Sequence, residues 1–160
     1  MSNAGYADQH IRNDIHLGFK QFRATGIPRY QKPKANLTGT FLTTPTEAEV
    51  VTGGQTIICT LLEGEFLPSG TLFNASRQAL IDGLSAAESE STGWNAEVRD
   101  NAAVTTMVRT SAKVVTFTIP ASASYAIDAN ENLTWTIPAS ALAGGGDPVV
   151  ADETVTIVAS

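Results

Sequence analysis

The side chains of this sequence that could carry chemistry are several carboxylates and one cysteine. Two close pairs are candidates for a general acid and base: Glu63 with Glu65, and Glu88 with Glu90. Each pair lies in polar sequence typical of loops, whereas acid–base catalysis needs carboxylates held in a cleft. A third acidic group consists of Asp147, Asp152 and Glu153. It lacks the alternating Asp-x-Asp spacing of a calcium loop, so we expect all these groups to be solvated.

The single cysteine and the two histidines are equally poor candidates for a reactive site. Cys59 lies in an apolar run, residues 57–62, which predicts a buried thiol, and one cysteine excludes an intramolecular disulfide. His10 and His16 are too far apart for a tight metal pair, and no cysteine or carboxylate cluster joins them. We therefore expect no catalytic activity, no metal site and no cofactor.

The charge of the chain is divided unevenly along its 160 residues. Residues 1–36 contain six cations and two carboxylates, a net charge of +4, while residues 37–160 contain four cations and fourteen carboxylates, a net charge of −10. A chain of this length accommodates one domain with a real core plus an appendage. The opposite charges indicate that the basic segment lies against an acidic surface, such as the β domain of another copy of the chain.

The basic segment, which we call the N-terminal arm (residues 1–36), combines an amphipathic helix with a proline-containing linker. Apolar side chains recur at helical spacing over residues 8–23, and cations occupy the other side of the helix or the linker. The candidate partner-binding residues are the apolar Ile11, Ile15, Phe19 and Phe22 and the cationic Arg12, Lys20, Arg23, Arg29, Lys32 and Lys34. Packing on its own domain and docking on a neighbour both fit this pattern. The absence of a basic run argues against DNA as the partner.

Two runs of alternating residues organise the rest of the chain. In residues 109–119, Val115, Phe117 and Ile119 alternate with threonines, which predicts a half-buried strand. Leu133, Trp135 and Ile137 repeat the pattern, and both runs end in Ile-Pro. We expect them to be neighbouring or facing strands of one core.

Further elements follow from shorter signals. Residues 47–51 read as extended chain leading into a Gly-Gly hairpin turn, followed by a strand over residues 55–62. Asn74 is a candidate N-cap for a helix that carries Leu80, Leu84 and Ala87 on one face. Alternation over residues 94–99 predicts a return to extended structure.

These signals predict a mainly β protein. We expect an immunoglobulin-like antiparallel β-sandwich of about seven strands over residues 37–160, with one short inserted helix and the N-terminal arm over residues 1–36. The predicted core residues are Ile57, Cys59, Trp94, Val115, Phe117, Leu133, Trp135 and Ile137. The sequence has neither the apolar run of a membrane span nor that of a secretory signal, so we expect a soluble protein that is not exported by its own signal.

Several phrases of the sequence carry a family resemblance: VVTGGQTIICTL, FNASRQALIDGLSAAESESTGWNAEVRD, VRTSAKVVTFTI and SYAIDANENLTWTIPASAL. Over residues 37–160 they resemble an immunoglobulin-like module of bacteriophage structural proteins. The resemblance implies a non-enzymatic virion protein, such as a capsid decoration, head fibre or tail component, assembled in the host cytoplasm. Its implied partners are other copies of itself or other virion proteins, with no nucleic acid and no membrane. A bacterial cell-surface adhesion or carbohydrate-binding module is the alternative.

Overall fold

The computed structural model describes residues 35–39 and 45–160, which belong to one compact unit, Lys32–Ser160. This region is mainly β, as predicted. Its strands are β1 (Ala35–Gly39), β2 (Thr56–Leu61), β3 (Leu84–Ala86), β4 (Met107–Ser111), β5 (Val114–Thr118), β6 (Glu131–Ile137), β7 (Val149–Val150) and β8 (Val155–Ile157).

Helical segments connect the strands. The α-helices of the described region are α1 (Glu47–Thr52) and α2 (Thr71–Asp82). A π-helix spans Trp94–Arg99, and 3-10 turns span Val104–Thr106 and Ala139–Ala141. The prediction of one inserted helix was therefore wrong, because the described region has two α-helices.

The first sheet has the strand order β1-β2-β5-β4, with every neighbouring pair antiparallel. Its register brings Cys59 opposite Val115 and Met107 opposite Phe117, and all four side chains are buried. Alternation along the strands assigns these side chains to one face of the sheet. That face contributes to the core.

The second sheet is organised around β6. Strand β3 pairs antiparallel with Leu133–Trp135 of β6 along one edge, and Thr136 N–H continues this edge by donating to the Gly83 carbonyl over 2.9 Å. Strands β7 and β8 pair with opposite ends of β6, and both lie along the edge of β6 that is not paired with β3. They form one interrupted edge strand. Counted in this way the described region has the seven strands predicted, in two antiparallel sheets compatible with a sandwich.

The predicted core is confirmed. All eight residues assigned to it from sequence are fully buried and belong to one continuous hydrophobic cluster. The Trp94 and Phe117 rings meet edge to face within it, with centroids 6.0 Å apart and an interplanar angle of 65°. Burying an aromatic side chain removes the largest apolar areas from water, so these rings contribute strongly to stability.

The predicted strand over residues 109–119 is in fact a hairpin. Strand β4 ends at Ser111, the chain turns at Ala112 and Lys113, and β5 begins at Val114. The expectation for Val115, Phe117 and Ile119 still holds, because all three are buried.

The prediction of extended chain over residues 47–51 was wrong, because a capping box starts α1 there. Glu49 N–H donates to Thr46 Oγ1 over 3.4 Å, and Thr46 N–H donates to Glu49 Oε2 over 2.8 Å. These two bonds satisfy backbone donors that the first turn of a helix otherwise leaves free. The local bonding therefore outweighs the β-branched residues Val50 and Val51.

Helix α2 begins and ends earlier than predicted. It starts at Thr71, with Gly70 rather than Asn74 at the N-cap. Leu84 lies beyond the helix in β3, where it pairs with Trp135, and Ala87 is exposed. Gly83 follows the last residue of the helix, and a Cβ at this position would collide with the Thr136 carbonyl oxygen. This close approach joins α2 directly to the second sheet.

The extended structure predicted for residues 94–99 was also wrong. The chain forms a π-helix there, closed by a hydrogen bond from Asp100 N–H to the Asn95 carbonyl over 3.0 Å. Trp94 and Val98 are both buried, and their spacing of four residues fits a helical turn as well as alternation.

The N-terminal arm lies outside the described residues except for Ala35 and Asn36. Its predicted helix and linker stay predictions, as does the domain boundary between residues 36 and 37. Strand β1 begins at Ala35, whose side chain is buried and whose carbonyl accepts a hydrogen bond from Asp152 N–H over 3.0 Å.

Candidate functional site

The candidate partner-binding residues named from the sequence all lie in residues 11–34, outside the described region. Their contacts and their grouping therefore stay predictions. The described region contains a different feature with chemical character, a carboxylate buried between the π-helix and the second sheet.

Glu131 carries this buried carboxylate. It is the first residue of β6, and its side chain is only 5% exposed. Oε2 accepts hydrogen bonds from Tyr125 Oη over 2.9 Å and from Trp94 N–H over 3.0 Å. Oε1 lies 3.3 Å from the same Trp94 nitrogen. Within the described region, no arginine or lysine forms an ion pair with Glu131, so hydrogen bonds alone compensate for its burial.

The π-helix positions the backbone donor of this cluster. Gly93 precedes it and is buried, and a Cβ at this position would collide with Glu131 Oε1. The missing side chain lets Glu131 approach the first turn of the π-helix closely. Trp94 is fixed at its other end because the indole Nε1–H donates to the Leu84 carbonyl over 2.9 Å.

Tyr125 supplies the second donor from the loop between β5 and β6. Around Tyr125, the loop is tied to the segment before the π-helix by two hydrogen bonds: Ala126 N–H to the Thr92 carbonyl over 3.0 Å, and Thr92 Oγ1 to the Ala126 carbonyl over 2.7 Å. Asp128 N–H also donates to Glu90 Oε1 over 3.1 Å. The two segments that flank the carboxylate are therefore hydrogen-bonded to each other.

Burial raises the pKa of Glu131, because removal from water disfavours the charged form. The hydrogen bonds from Tyr125 and Trp94 oppose this effect, while the nearby Glu90 carboxylate adds to it. Burial also raises the pKa of the Tyr125 hydroxyl, and the hydrogen bond to Glu131 with the charges of Glu131, Glu47 and Glu90 acts in the same direction. Tyr125 is thus held as a neutral hydrogen-bond donor.

The geometry makes Glu131 a structural cross-link. Both donors come from the protein's own chain, and together with Glu131 they join the π-helix, the loop before β6 and β6 itself. A carboxyl group with a raised pKa is also a common catalytic device, but such a group must reach a substrate. At 5% exposure, Glu131 faces its internal partners.

The other groups considered from the sequence are separate from this cluster or lack reactivity. Cys59 is fully buried, and burial raises the pKa of its thiol to about 12, so it is not a nucleophile at neutral pH. The side chains of the remaining acidic candidates are exposed: Glu63, Glu65, Glu88, Glu90, Asp147, Asp152 and Glu153. Over residues 35–39 and 45–160, no three His, Cys, Asp or Glu side chains are grouped so that they could hold a metal ion.

Glu131 was not predicted from the sequence, although a signal for it was present. Glu131, Leu133, Trp135 and Ile137 occupy every second position, so the alternation that assigned the last three to the core also assigns Glu131 to it. Tyr125 and Trp94 could not have been identified as its partners, since they approach it from segments 6 and 37 residues away.

Comparisons of this chain with protein-family models, with curated proteins and with solved structures gave no significant match. Among the helices of the described region, none has the length and apolar character needed to cross a membrane. The resemblance to phage modules therefore stays a prediction.

Proposed function

We propose that this chain is a non-enzymatic structural protein of a bacteriophage particle. It assembles through its N-terminal arm and displays an immunoglobulin-like β-sandwich. Two features support the proposal: the resemblance of residues 37–160 to such modules, and the two antiparallel sheets of the described region. The particle component is a capsid decoration, a head fibre or a part of the tail, and assembly takes place in the host cytoplasm.

The observation that best supports a structural role is the hydrogen bonding of the buried Glu131 carboxylate. Glu131 accepts hydrogen bonds from Trp94 N–H and from Tyr125 Oη, and it thereby joins three separate segments of the domain. Burying an ionisable group is costly, and the Glu131 carboxylate is hydrogen-bonded only to groups of the protein's own chain. The domain uses it for rigidity, which suits a module displayed on a particle.

Charge supports assembly through the arm. The arm carries +4 and the remainder of the chain carries −10, so the arm of one copy and the domain of another attract each other. The partners are other copies of this chain or other virion proteins, rather than nucleic acid or a membrane. The apolar residues of the predicted helix supply burial, and the cations set approach and register.

Electron microscopy of the full-length chain, alone and with the material that co-purifies from producing cells, tests the proposal. We expect regularly repeated copies on a phage-like particle or a part of one. A uniform monomer that co-purifies with no particle would contradict the proposal. A monomer that binds a glycan array saturably would instead favour the surface-adhesion alternative.

A further inference from the structure

Two arginines of the described region have no hydrogen-bond or ion-pair partner, although the domain is rich in carboxylates. Residues 35–160 contain four cationic side chains, and two of them are bound: Arg99 Nε contacts Asp100 Oδ1 at 2.8 Å, and Lys113 Nζ donates to the Leu62 carbonyl over 3.4 Å. The others are Arg77 and Arg109. In each, Nε is buried and has no hydrogen-bond partner.

The two arginines lie on elements that pack against each other. Arg77 is the only cation of α2, Arg109 is the only cation of β4, and α2 packs against β4. Arg109 shares a strand face with the buried Met107 and pairs with the buried Val115, so its side chain starts from the inner face of the sheet.

Local chemistry at this place favours an anion. Strands β4 and β5 contain no carboxylate. The one carboxylate of α2, Asp82, accepts a hydrogen bond from Gln78 Nε2 over 2.8 Å. The Arg77 guanidinium lies over the Phe73 ring, with Cζ 5.8 Å from the ring centroid, a cation–π contact that positions the guanidinium without using its hydrogen-bond donors.

We propose that Arg77 and Arg109 together form a binding site for a carboxylate ligand. A guanidinium presents a planar fork of donors that a carboxylate matches with two parallel hydrogen bonds. Phosphate sites usually add backbone N–H groups of a loop or a helix N-terminus. Arg77 lies in the middle of α2 and Arg109 within β4, so neither is at a helix N-terminus or in a loop of the kind that binds phosphate, and side-chain forks are what this site offers.

Nuclear magnetic resonance of the arginine Nε–Hε groups tests this site in the full-length chain. Sodium acetate is titrated against sodium chloride at equal ionic strength. We expect saturable shifts of the Arg77 and Arg109 signals with acetate, while the Arg99 signal, already bound to Asp100, responds equally to both salts. Shifts that grow without saturation and are equal for all three arginines would overturn the proposal.

Substitution then tests whether the two arginines act as one site. Arg77→Gln should weaken acetate binding measured at Arg109 about tenfold, since one of two charge-assisted forks is lost. Arg77→Lys should weaken it less, because it keeps the charge. Arg99→Gln is the matched control and should leave binding unchanged. If Arg109 binds acetate equally well in folded Arg77→Gln, the two arginines are independent and the proposal is wrong.

Discussion

At the scale of single residues, the Glu131 carboxylate depends on two hydrogen-bond donors and on no cation of the described region. Replacing Tyr125 with Phe removes one donor and leaves the shape of the core intact. We expect a loss of about 1–3 kcal/mol in the free energy of unfolding at pH 7, the usual cost of leaving a buried charged group short of a partner. Urea denaturation measures the change.

A double-mutant cycle provides the control for this prediction. In Glu131→Gln the neutral amide replaces the carboxylate, so the further change Tyr125→Phe should cost less than it does in the wild type. Equal costs in the two backgrounds would mean that Tyr125 stabilises the domain independently of Glu131.

The raised pKa of Glu131 predicts a specific pH dependence. The pKa is higher in the folded chain than its ordinary value of 4.5, so below that value the protonated group imposes no penalty. As the pH rises from 4.5 through the folded-state pKa, the unfolded chain releases the Glu131 proton at a lower pH than the folded chain does. The free energy of unfolding therefore falls over this range. We expect wild type to lose stability relative to Glu131→Gln over this range, measured by urea denaturation at each pH. A constant difference would show that the pKa is not raised.

Trp135 tests the core itself. It is fully buried, and its indole Nε1–H donates to the Leu80 carbonyl over 2.8 Å. Trp135→Ala should lower the free energy of unfolding by about 3–5 kcal/mol, as large-to-small core changes do. Leu72→Ala is the control, because Leu72 is 62% exposed and its truncation should change stability by less than about 0.5 kcal/mol. A loss below about 1 kcal/mol for Trp135→Ala would contradict its place in the core.

Burial was the residue property most readily predicted from sequence. Alternation identified Val115, Phe117, Leu133, Trp135 and Ile137 because the two sides of a strand face different surroundings. Glu131 was not predicted to be buried, because carboxylates seldom occupy core positions. The unpartnered state of Arg77 and Arg109 could not be predicted, since pairing depends on which carboxylates the fold brings near.

At the scale of elements, the junction between α2 and β3 depends on the absence of a side chain. A Cβ on Gly83 would collide with the Thr136 carbonyl oxygen, which is backbone of a central strand and cannot move easily. We expect Gly83→Ala to lower the free energy of unfolding by about 3 kcal/mol or more, at the upper end of overpacking effects. Thermal unfolding followed by circular dichroism measures the change.

Gly54→Ala is the matched control for this junction. A Cβ on Gly54 meets nothing within 4 Å, but its φ of +90° is unfavourable for alanine. Its cost should therefore reflect backbone strain alone, on the order of 1 kcal/mol. Equal losses for the two variants would show that Gly83 is not needed for close packing against β6.

The errors in predicting elements have local physical causes. Thr46 and Glu49 have the spacing of a capping box, which indicates the start of α1. The prediction of extended chain did not take this signal into account. The spacing of Trp94 and Val98 fits both alternation and a helical turn, so it could not distinguish a strand from the π-helix. The turn at Ala112 and Lys113 has neither glycine nor proline, which hid the hairpin within a single predicted strand.

At the scale of the whole molecule, the mainly β class with two antiparallel sheets was predictable, because closely spaced short strands without strand–helix alternation favour such a fold. The sharing of one β6 edge by β7 and β8 was not, since pairing partners distant in sequence leave no periodic signal. The immunoglobulin-like identity and the phage role stay proposals.

At this scale we predict that the N-terminal arm assembles the chain while residues 35–160 fold by themselves. The structure sets the boundary for testing it. Ala35 is buried and its carbonyl accepts the Asp152 N–H, so a truncation must end at Lys34 to leave β1 intact. Removing residues 1–34 deletes six cations and the apolar residues of the predicted helix. Each apolar side chain that the arm buries contributes roughly 1.5–3 kcal/mol to its binding. In a multivalent assembly this is enough to hold the arm in place.

The most direct test compares the full chain with residues 35–160 by electron microscopy and sedimentation of the particle fraction, with circular dichroism to confirm folding. We predict that the truncated chain unfolds cooperatively at a melting temperature close to that of the full chain, remains soluble and is absent from the particle. A truncated chain that unfolds, or one that enters the particle at full occupancy, would contradict the claim.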